Sequence, residues 1–385
     1  MKIVIAPDSY KGSVSAADAA DAIEKGIRRY LPQAEIVKVP VADGGEGTLD
    51  SLIAAAGGER VPFTVHGPLG RAVQAQYGLL HQGDEAVAVI EMASATGLTL
   101  ISSEERDPLK ASTYGTGELI KKALDDGCRR FLLALGGSAT NDGGAGMLQA
   151  LGLKLLDAEG TPLADGIGGG ELHRIATIDD SGWDSRVAEA SFLIATDVQN
   201  PFVGPSGASH VFGPQKGASP DQVEQLDRNL HAWADRIEAH TRISLHDKPG
   251  AGAAGGIGGA FLAFFPTSIR RGIDVVIEYA KLAERLQGAD LVITGEGQID
   301  FQTASGKTPM GVAQEAQKLG IPAFALAGSV GKGIEALYEV GIQSVRSIVN
   351  GPMTLQEAME RAPELLEQAA EQLMRTFVVP RDSKA

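Results

Sequence analysis

Cysteine is almost missing from this chain: Cys128 is the single one in 385 residues, which excludes an intrachain disulfide framework and any metal site built from several thiolates. Cys128 stands in a Gly-Cys-Arg-Arg context just before a strand-like run and reads as a buried, inert thiol. No apolar run approaches the roughly twenty residues of a membrane-spanning helix, so no span is expected. The opening, Met1-Lys-Ile-Val-Ile-Ala-Pro-Asp8, turns polar too soon for a secretory leader, and a cytoplasmic location is the expectation. Positive charge is in deficit: 34 Lys and Arg against 49 Asp and Glu leave a net charge of −15. No basic cluster offsets it, which argues against nucleic acid and for a small-molecule partner. A homo-oligomer is compatible with this sequence. Seven histidines show no metal-ligand spacing and no Gly-x-Ser-x-Gly elbow is found, so neither zinc nor serine-hydrolase chemistry is expected.

Glycine is abundant instead, with 49 residues and no collagen-like period, implying many tight turns and backbone-lined loops. The length exceeds what one core usually serves, so two domains are expected. The chain is organised around Phe131-Leu-Leu-Ala-Leu135-Gly136-Gly137-Ser138-Ala139-Thr140-Asn141-Asp142-Gly143-Gly144, an apolar run breaking into a glycine-rich loop with small hydrogen-bonding side chains. Helical spacing resumes at Ala145. Strand, loop and helix start make either a phosphate or oxyanion cradle or simply a tight turn.

Residues 2–6 and 35–39 read as strands, each followed by an acid-bearing loop and then a helix, from about Ser15 to Arg29 and ending near Ala56. Ser15 with Asp18 resembles an N-cap pair. This grammar predicts a parallel α/β sheet with its ligand loops at the carboxyl ends of the strands. From Arg60 to Met92 the pattern changes to alternating extended runs, an antiparallel section, and places a boundary near Gly67 to Arg71. Buried strands at 131–135 and 191–195 follow, then a polar helix from about Pro220 to Thr241. Past a helix at about 275–286 the alternation returns, with strands near 290–294, 323–326 and 345–349 and helices near 310–319, 334–339 and 355–374. The expected fold is α/β and two-domain: a Rossmann-like parallel sheet formed by both chain ends (1–70 plus 286–385), with a second, mixed α/β domain (71–285) inserted. Gly250-x-Gly252-x-x-Gly255 has dinucleotide spacing, but His246-Asp-Lys-Pro249 before it cannot be the required strand. A hinge or a close packing surface is the better reading.

Acids recur at the predicted carboxyl ends of strands: Asp8, Asp43 with Glu46, Asp197, and Glu296 with Asp300. Phosphoryl transfer uses such positions, because a carboxylate or two hold Mg²⁺ and an acid orients the attacking hydroxyl or accepts its proton. Lys11 and Lys307, in loops rich in glycine and serine, can hold a carboxylate or phosphate as point charges. Ser305 to Thr308 imitates the end of a phosphate-binding P-loop, yet the motif's first glycine would fall at Phe301 and Pro309 follows, so it is not one. Gly328 to Gly333 is a further candidate for lining the crevice.

Ala6-Pro-Asp-Ser-Tyr-Lys-Gly-Ser13, Ala42-Asp-Gly-Gly-Glu-Gly-Thr48, Leu135 to Gly144, Thr196-Asp-Val-Gln-Asn-Pro201 and Thr294-Gly-Glu-Gly-Gln-Ile-Asp300 together resemble the bacterial glycerate kinase family, in order and over nearly the whole chain. The resemblance implies ATP-dependent phosphorylation of D-glycerate with Mg²⁺, usually to 2-phosphoglycerate, in glyoxylate, glucarate and galactarate breakdown. It also implies two α/β domains, one inserted in the other, with the site in the cleft between them. On that footing Lys11, Ser9, Asp8, Asn200 and Lys307 are expected to bind glycerate, with Asp197 or Asp43 accepting the proton of its hydroxyl. Gly136, Gly137, Ser138, Thr140, Asn141 and Asp142 would cradle phosphates, Glu296 would serve nucleotide or metal, and Asp300 and Asp197 the metal. Phosphorylation of the 3-hydroxyl, a nicotinamide-dependent hydroxy-acid dehydrogenase and a sugar-acid binding protein stay open as alternatives. The missing strand before Gly250 weighs against the dehydrogenase.

Overall fold

Ile3, Val4 and Ile5 have no exposed surface, as a strand covered on both faces requires. The computed structural model describes residues 1–82, 85–301, 303 and 307–378. Its strands begin with β1 (Lys2–Pro7), β2 (Glu35–Lys38), β3 (Glu59–His66), β4 (Ala72–Gln82) and β5 (Glu85–Glu91). They continue with β6 (Arg130–Ala134), β7 (Lys154–Leu156), β8 (Thr177–Asp179) and β9 (Ser191–Ala195). The last four are β10 (Thr267–Arg270), β11 (Leu291–Ile299), β12 (Ala323–Val330) and β13 (Ile342–Ser347).

One unit comprises Met1–Asp43, Asp50–Gly57 and Arg271–Ala385. Its sheet runs β13-β12-β11-β1-β2 with every pair parallel. The helix Ala16–Tyr30 starts at Ser15, whose Oγ accepts from the Asp18 amide at 3.1 Å and donates to Asp18 Oδ2 at 2.7 Å. That helix packs on the helix Ala362–Phe377 and both cover Ile3, Ile5 and Ile293. Gly26 sits at their contact: a Cβ there would lie 2.0 Å from the Glu367 carbonyl oxygen, so the backbones meet directly. The helix Thr308–Lys318 packs on β1, β11 and β12, and the helices Gly272–Tyr279 and Leu282–Leu286 pack against it in turn.

The other unit comprises Gly44–Leu49 and Gly58–Arg270. Its sheet runs β10-β9-β6-β5-β4-β3, parallel from β10 to β5 and antiparallel from β5 to β3. A small antiparallel pair, β7 with β8, stands apart from it. Phe131 and Phe192 stack at 4.6 Å in its core, which also buries Trp233 and Phe261. No helix among the described residues is long and apolar enough to cross a membrane.

The architecture is the expected one, a mixed α/β chain whose ends build the parallel sheet, but the details shift. The boundaries fall at 43/44, 49/50, 57/58 and 270/271 rather than at 70/71 and 285/286. β3 pairs with β4 along its whole length and so belongs to the inserted unit, while the helices after Arg271 pack under the parallel sheet. β7, β8, β10 and the helix Ile257–Phe264 are additions to the sequence reading. The expected helix at 275–286 breaks at Lys281, with φ 51°, and the expected helix at 355–374 restarts at Ala362, where Pro363 cannot supply an intrahelical amide. Gly252 and Gly255 are packing glycines, since a Cβ on either would lie 2.1 Å from the Pro201 carbonyl oxygen or 2.0 Å from that of Thr140.

Candidate active site

In the parallel sheet β1 connects to β2 on one side, and the chain then returns to β11 on the other. The gap between the carboxyl ends of β1 and β11 is therefore the topological switch point, where open α/β sheets bind ligands. Asp8 follows β1 and Glu296 lies on β11, and both line a cleft of about 470 Å³ together with Ser9, Lys11, Asp43 and Lys307.

Asp8 is 6% exposed. Its Oδ1 accepts from the Ser9 amide and its Oδ2 from Thr308 Oγ1, each at 2.6 Å. Burial, then the charge of Asp43, pushes the carboxyl up to about 6, against the hydrogen bonds of Thr308 and Ser9 and the charge of Lys11. Glu296 is pushed further, to about 7, by burial and by Asp8 and Asp43; the hydrogen bond from Thr303 Oγ1 at 2.8 Å and the charge of Lys307 resist. Lys11 reaches over from an exposed position, its Nζ 3.9 Å from Asp43 Oδ2. The turn that carries it is closed by a bridge between Tyr10 and Val14, with Gly12 at φ +75°. Tyr10 anchors the turn by donating its hydroxyl to the Leu326 carbonyl at 2.8 Å, and burial keeps that phenol protonated. Carboxyls that titrate near neutrality beside two lysines can exchange a proton with a bound hydroxyl, hold a divalent cation and bind an anion.

The structure thus gathers Asp8, Ser9, Lys11, Asp43, Glu296 and Lys307 in one unit, while Ser305 and Gly306 lie outside the described residues. Asp300, half-buried just past β11, accepts from Gln298 Nε2 at 2.8 Å and is not among the cleft-lining residues. The other expected residues belong to the inserted unit. Asp197 is exposed after β9, and Asn200 Nδ2 donates to the Ser206 carbonyl at 2.8 Å. In the loop after β6, Gly136 and Gly137 reach the surface and Ser138 is buried. Thr140, Asn141 and Asp142 have no exposed surface at all. Asp142 Oδ2 accepts from the Thr113 amide at 2.8 Å and hydroxyl at 2.7 Å, and Asn141 Nδ2 donates to Ser209 Oγ at 2.9 Å. Lys216 Nζ, also buried, donates to Ser138 Oγ at 2.8 Å and to the Thr140 carbonyl at 2.6 Å. The side chains of Asn141, Asp142 and Lys216 are tied into the interior by these bonds, and the helix that follows has only six residues, Ala145–Ala150.

Sequence reasoning missed Thr303 and Thr308, which hold the two cleft carboxyls; the helix-start pair Thr308-Pro309 was their one visible signal. It also missed a cluster in the inserted unit: His231, Asp235 and His246 offer ligand atoms within 4.8 Å of one another, because one helix turn separates the first two and the chain returns with the third.

A sequence model of the glycerate kinase family matches residues 3–378. The glycerate kinase of Bacillus subtilis (strain 168) is 50% identical over 370 residues, covering 96% of both chains. The glycerate 2-kinase of Escherichia coli (strain K12) is 47% identical over 379 residues, covering 98% of both. The crystal structure of a candidate glycerate kinase 2 from Salmonella typhimurium LT2 superposes with a TM-score of 0.85 at 46% identity, covering 98% of each chain. The family is one of phosphotransferases, and the fold is shared with that crystal structure. The chain belongs to the glycerate kinase family.

Proposed function

We propose that the protein transfers the γ-phosphoryl group of ATP to the 2-hydroxyl of D-glycerate with Mg²⁺. The observation that carries this reading is one cleft in which Asp8, Asp43 and Glu296 face Lys11 and Lys307; the relatives' names supply the substrate and the 2-position. Phosphoryl transfer asks a protein mainly for positioning and charge neutralisation. Lys11 and Lys307 bind the glycerate carboxylate and the transferring phosphate, with the Ser9 hydroxyl as a further donor. Asp8, held by Ser9 and Thr308, takes the proton of the attacking hydroxyl as its oxygen bonds phosphorus and the bond from γ-phosphorus to the departing ADP oxygen breaks.

Asp43 and Glu296 offer hard oxygen donors of the kind Mg²⁺ prefers, and a divalent cation relieves the carboxylate repulsion that adds to burial in lifting Asp8 and Glu296. Bound there, the ion supplies charge neutralisation to the phosphates. Asp197, Asn200, Asp300 and the Gly136–Ser138 turn keep the roles expected of them from the sequence, Asp197 as a second acceptor or a metal ligand. We place the reaction in the cytoplasm, in glyoxylate, glucarate or galactarate breakdown.

The test is incubation of the protein with ATP, Mg²⁺ and D-glycerate, with L-glycerate and metal-free controls, and assignment of the product by ³¹P NMR. A 2-phosphoglycerate signal is expected. A 3-phosphoglycerate signal overturns the position, and no phosphorylated product overturns the substrate.

A further inference from the structure

D-Glycerate is a three-carbon acid, and the cleft of about 470 Å³ is large enough for a ligand many times bigger. Its two halves differ in chemistry. The carboxyls and lysines occupy the end at β1 and β11, whereas one continuous segment after β13 builds an apolar wall. Ile348, Val349, Met353, Leu355, Met359 and Ala362 form that wall. Leu355 is 77% exposed and adjoins Met353 and Met359 in that wall, so the apolar surface is a patch and not a single side chain. The wall is held in place: Ser13 Oγ donates to the Met359 carbonyl, and the Thr354 hydroxyl caps the short helix Leu355–Glu360 by accepting from the Glu357 amide at 3.2 Å. Between the halves the floor is bare backbone. Gly297 and Gly328 both line it, and a Cβ on Gly328 would lie 2.4 Å from the Gly297 carbonyl oxygen, so no side chain can rise there. The hydroxyl of Ser329 and the amide of Gln298 flank this floor.

We infer that the apolar wall seats the purine of the nucleotide, so that the unit built by both chain ends, not the inserted one, holds the adenine. The inference rests on the kinase reading above. A flat apolar ring, a diol and a polyanion in sequence match a wall of Met and Leu side chains, a strip of hydroxyl and amide groups over glycine backbone, and an end carrying two lysines. The same order points the phosphates at Lys11 and Lys307.

Two measurements test it. Photolabelling of the wild-type protein with 8-azido-ATP needs no turnover, and trypsin releases the wall residues up to Met359 in one peptide, Ser347–Arg361. Label on that peptide, competed by ATP, is expected; label confined to the Phe131–Lys154 peptide or elsewhere overturns the seat. Leu355→Glu changes an exposed residue in the first helical turn, where an acid suits the helix dipole, and so tests the wall without disturbing the fold. KM for ATP should rise about tenfold, the scale of losing one buried leucine contact, with KM for D-glycerate within about twofold of wild type. An unchanged KM for ATP, or a parallel rise in both constants, overturns the seat. A protein that takes label on Ser347–Arg361 but phosphorylates no glycerate supports the seat and overturns the substrate.

Discussion

Thr308 Oγ1 donates to Asp8 Oδ2 at 2.6 Å, joining the first residue of a helix to a strand end 300 residues earlier in the chain. The bond favours the ionised carboxylate and so works against burial and Asp43, which lift Asp8 to about 6. Thr308→Val removes the donor at nearly constant volume, and Asp8 then keeps its proton to higher pH. The acid limb of kcat/KM moves up by about one pH unit, the worth of one charge-assisted hydrogen bond. Thr308→Ser keeps the hydroxyl and should keep the wild-type limb. A limb that ignores Thr308→Val removes Asp8 from the role of proton acceptor.

Glu296 holds its proton up to about pH 7 in the folded protein against an ordinary 4.5. Between those values the folded state binds more protons than the unfolded chain, so this group makes stability fall as pH rises from about 4.5 to about 7. Asp8, raised from 3.8 to about 6, acts in the same direction over its own window. Glu296→Gln removes the charge and keeps an acceptor for Thr303. In EDTA at pH 8 it should stabilise the protein by on the order of 1–3 kcal/mol, with little effect at pH 5, while activity falls. Urea melts at the two pH values decide: equal effects at both would mean that this carboxyl titrates normally.

What was legible in the sequence follows from what each residue's pattern can encode. The run Lys2 to Ala6 and the acid after it read correctly because an apolar strand and its polar end need no distant information. Glu296 was placed in a loop, since Gly295 and Gly297 interrupt the apolar run. In the structure β11 continues through both, because it pairs with β12 so closely that a Cβ at Gly295 would lie 2.1 Å from the Leu326 carbonyl oxygen. Asn141 and Asp142 read as ligand-facing, but small polar side chains look the same in sequence when their partners are Ser209 and Thr113 in the interior. Leu355 carried no signal either: an apolar residue on a helix normally marks a core face, and only the fold shows that this one, with Met353 just before the helix, borders a cleft.

Lys216 stands in a glycine-bearing loop that gave no hint of burial, yet it is 1% exposed, with its ammonium between Ser138 Oγ and the Thr140 carbonyl. Burial pushes it down from 10.5 to about 7, with the charge of Asp142 opposing. The unfolded chain therefore binds the extra proton between those values. The cost of burying the charge is present in full below about pH 7 and is relieved as pH rises toward 10.5, so Lys216 makes stability rise across that window. Lys216→Met fills the same space without a titrating group and leaves Ser138 Oγ and the Thr140 carbonyl without their donor. The wild type should gain on this variant by a few kcal/mol, roughly 1–4, between pH 7 and pH 9.5 in denaturant melts. A gap that stays constant with pH would show that Lys216 keeps its ordinary proton, and with it a hydrated or paired environment in place of the dry one that ties down the loop beside Gly136.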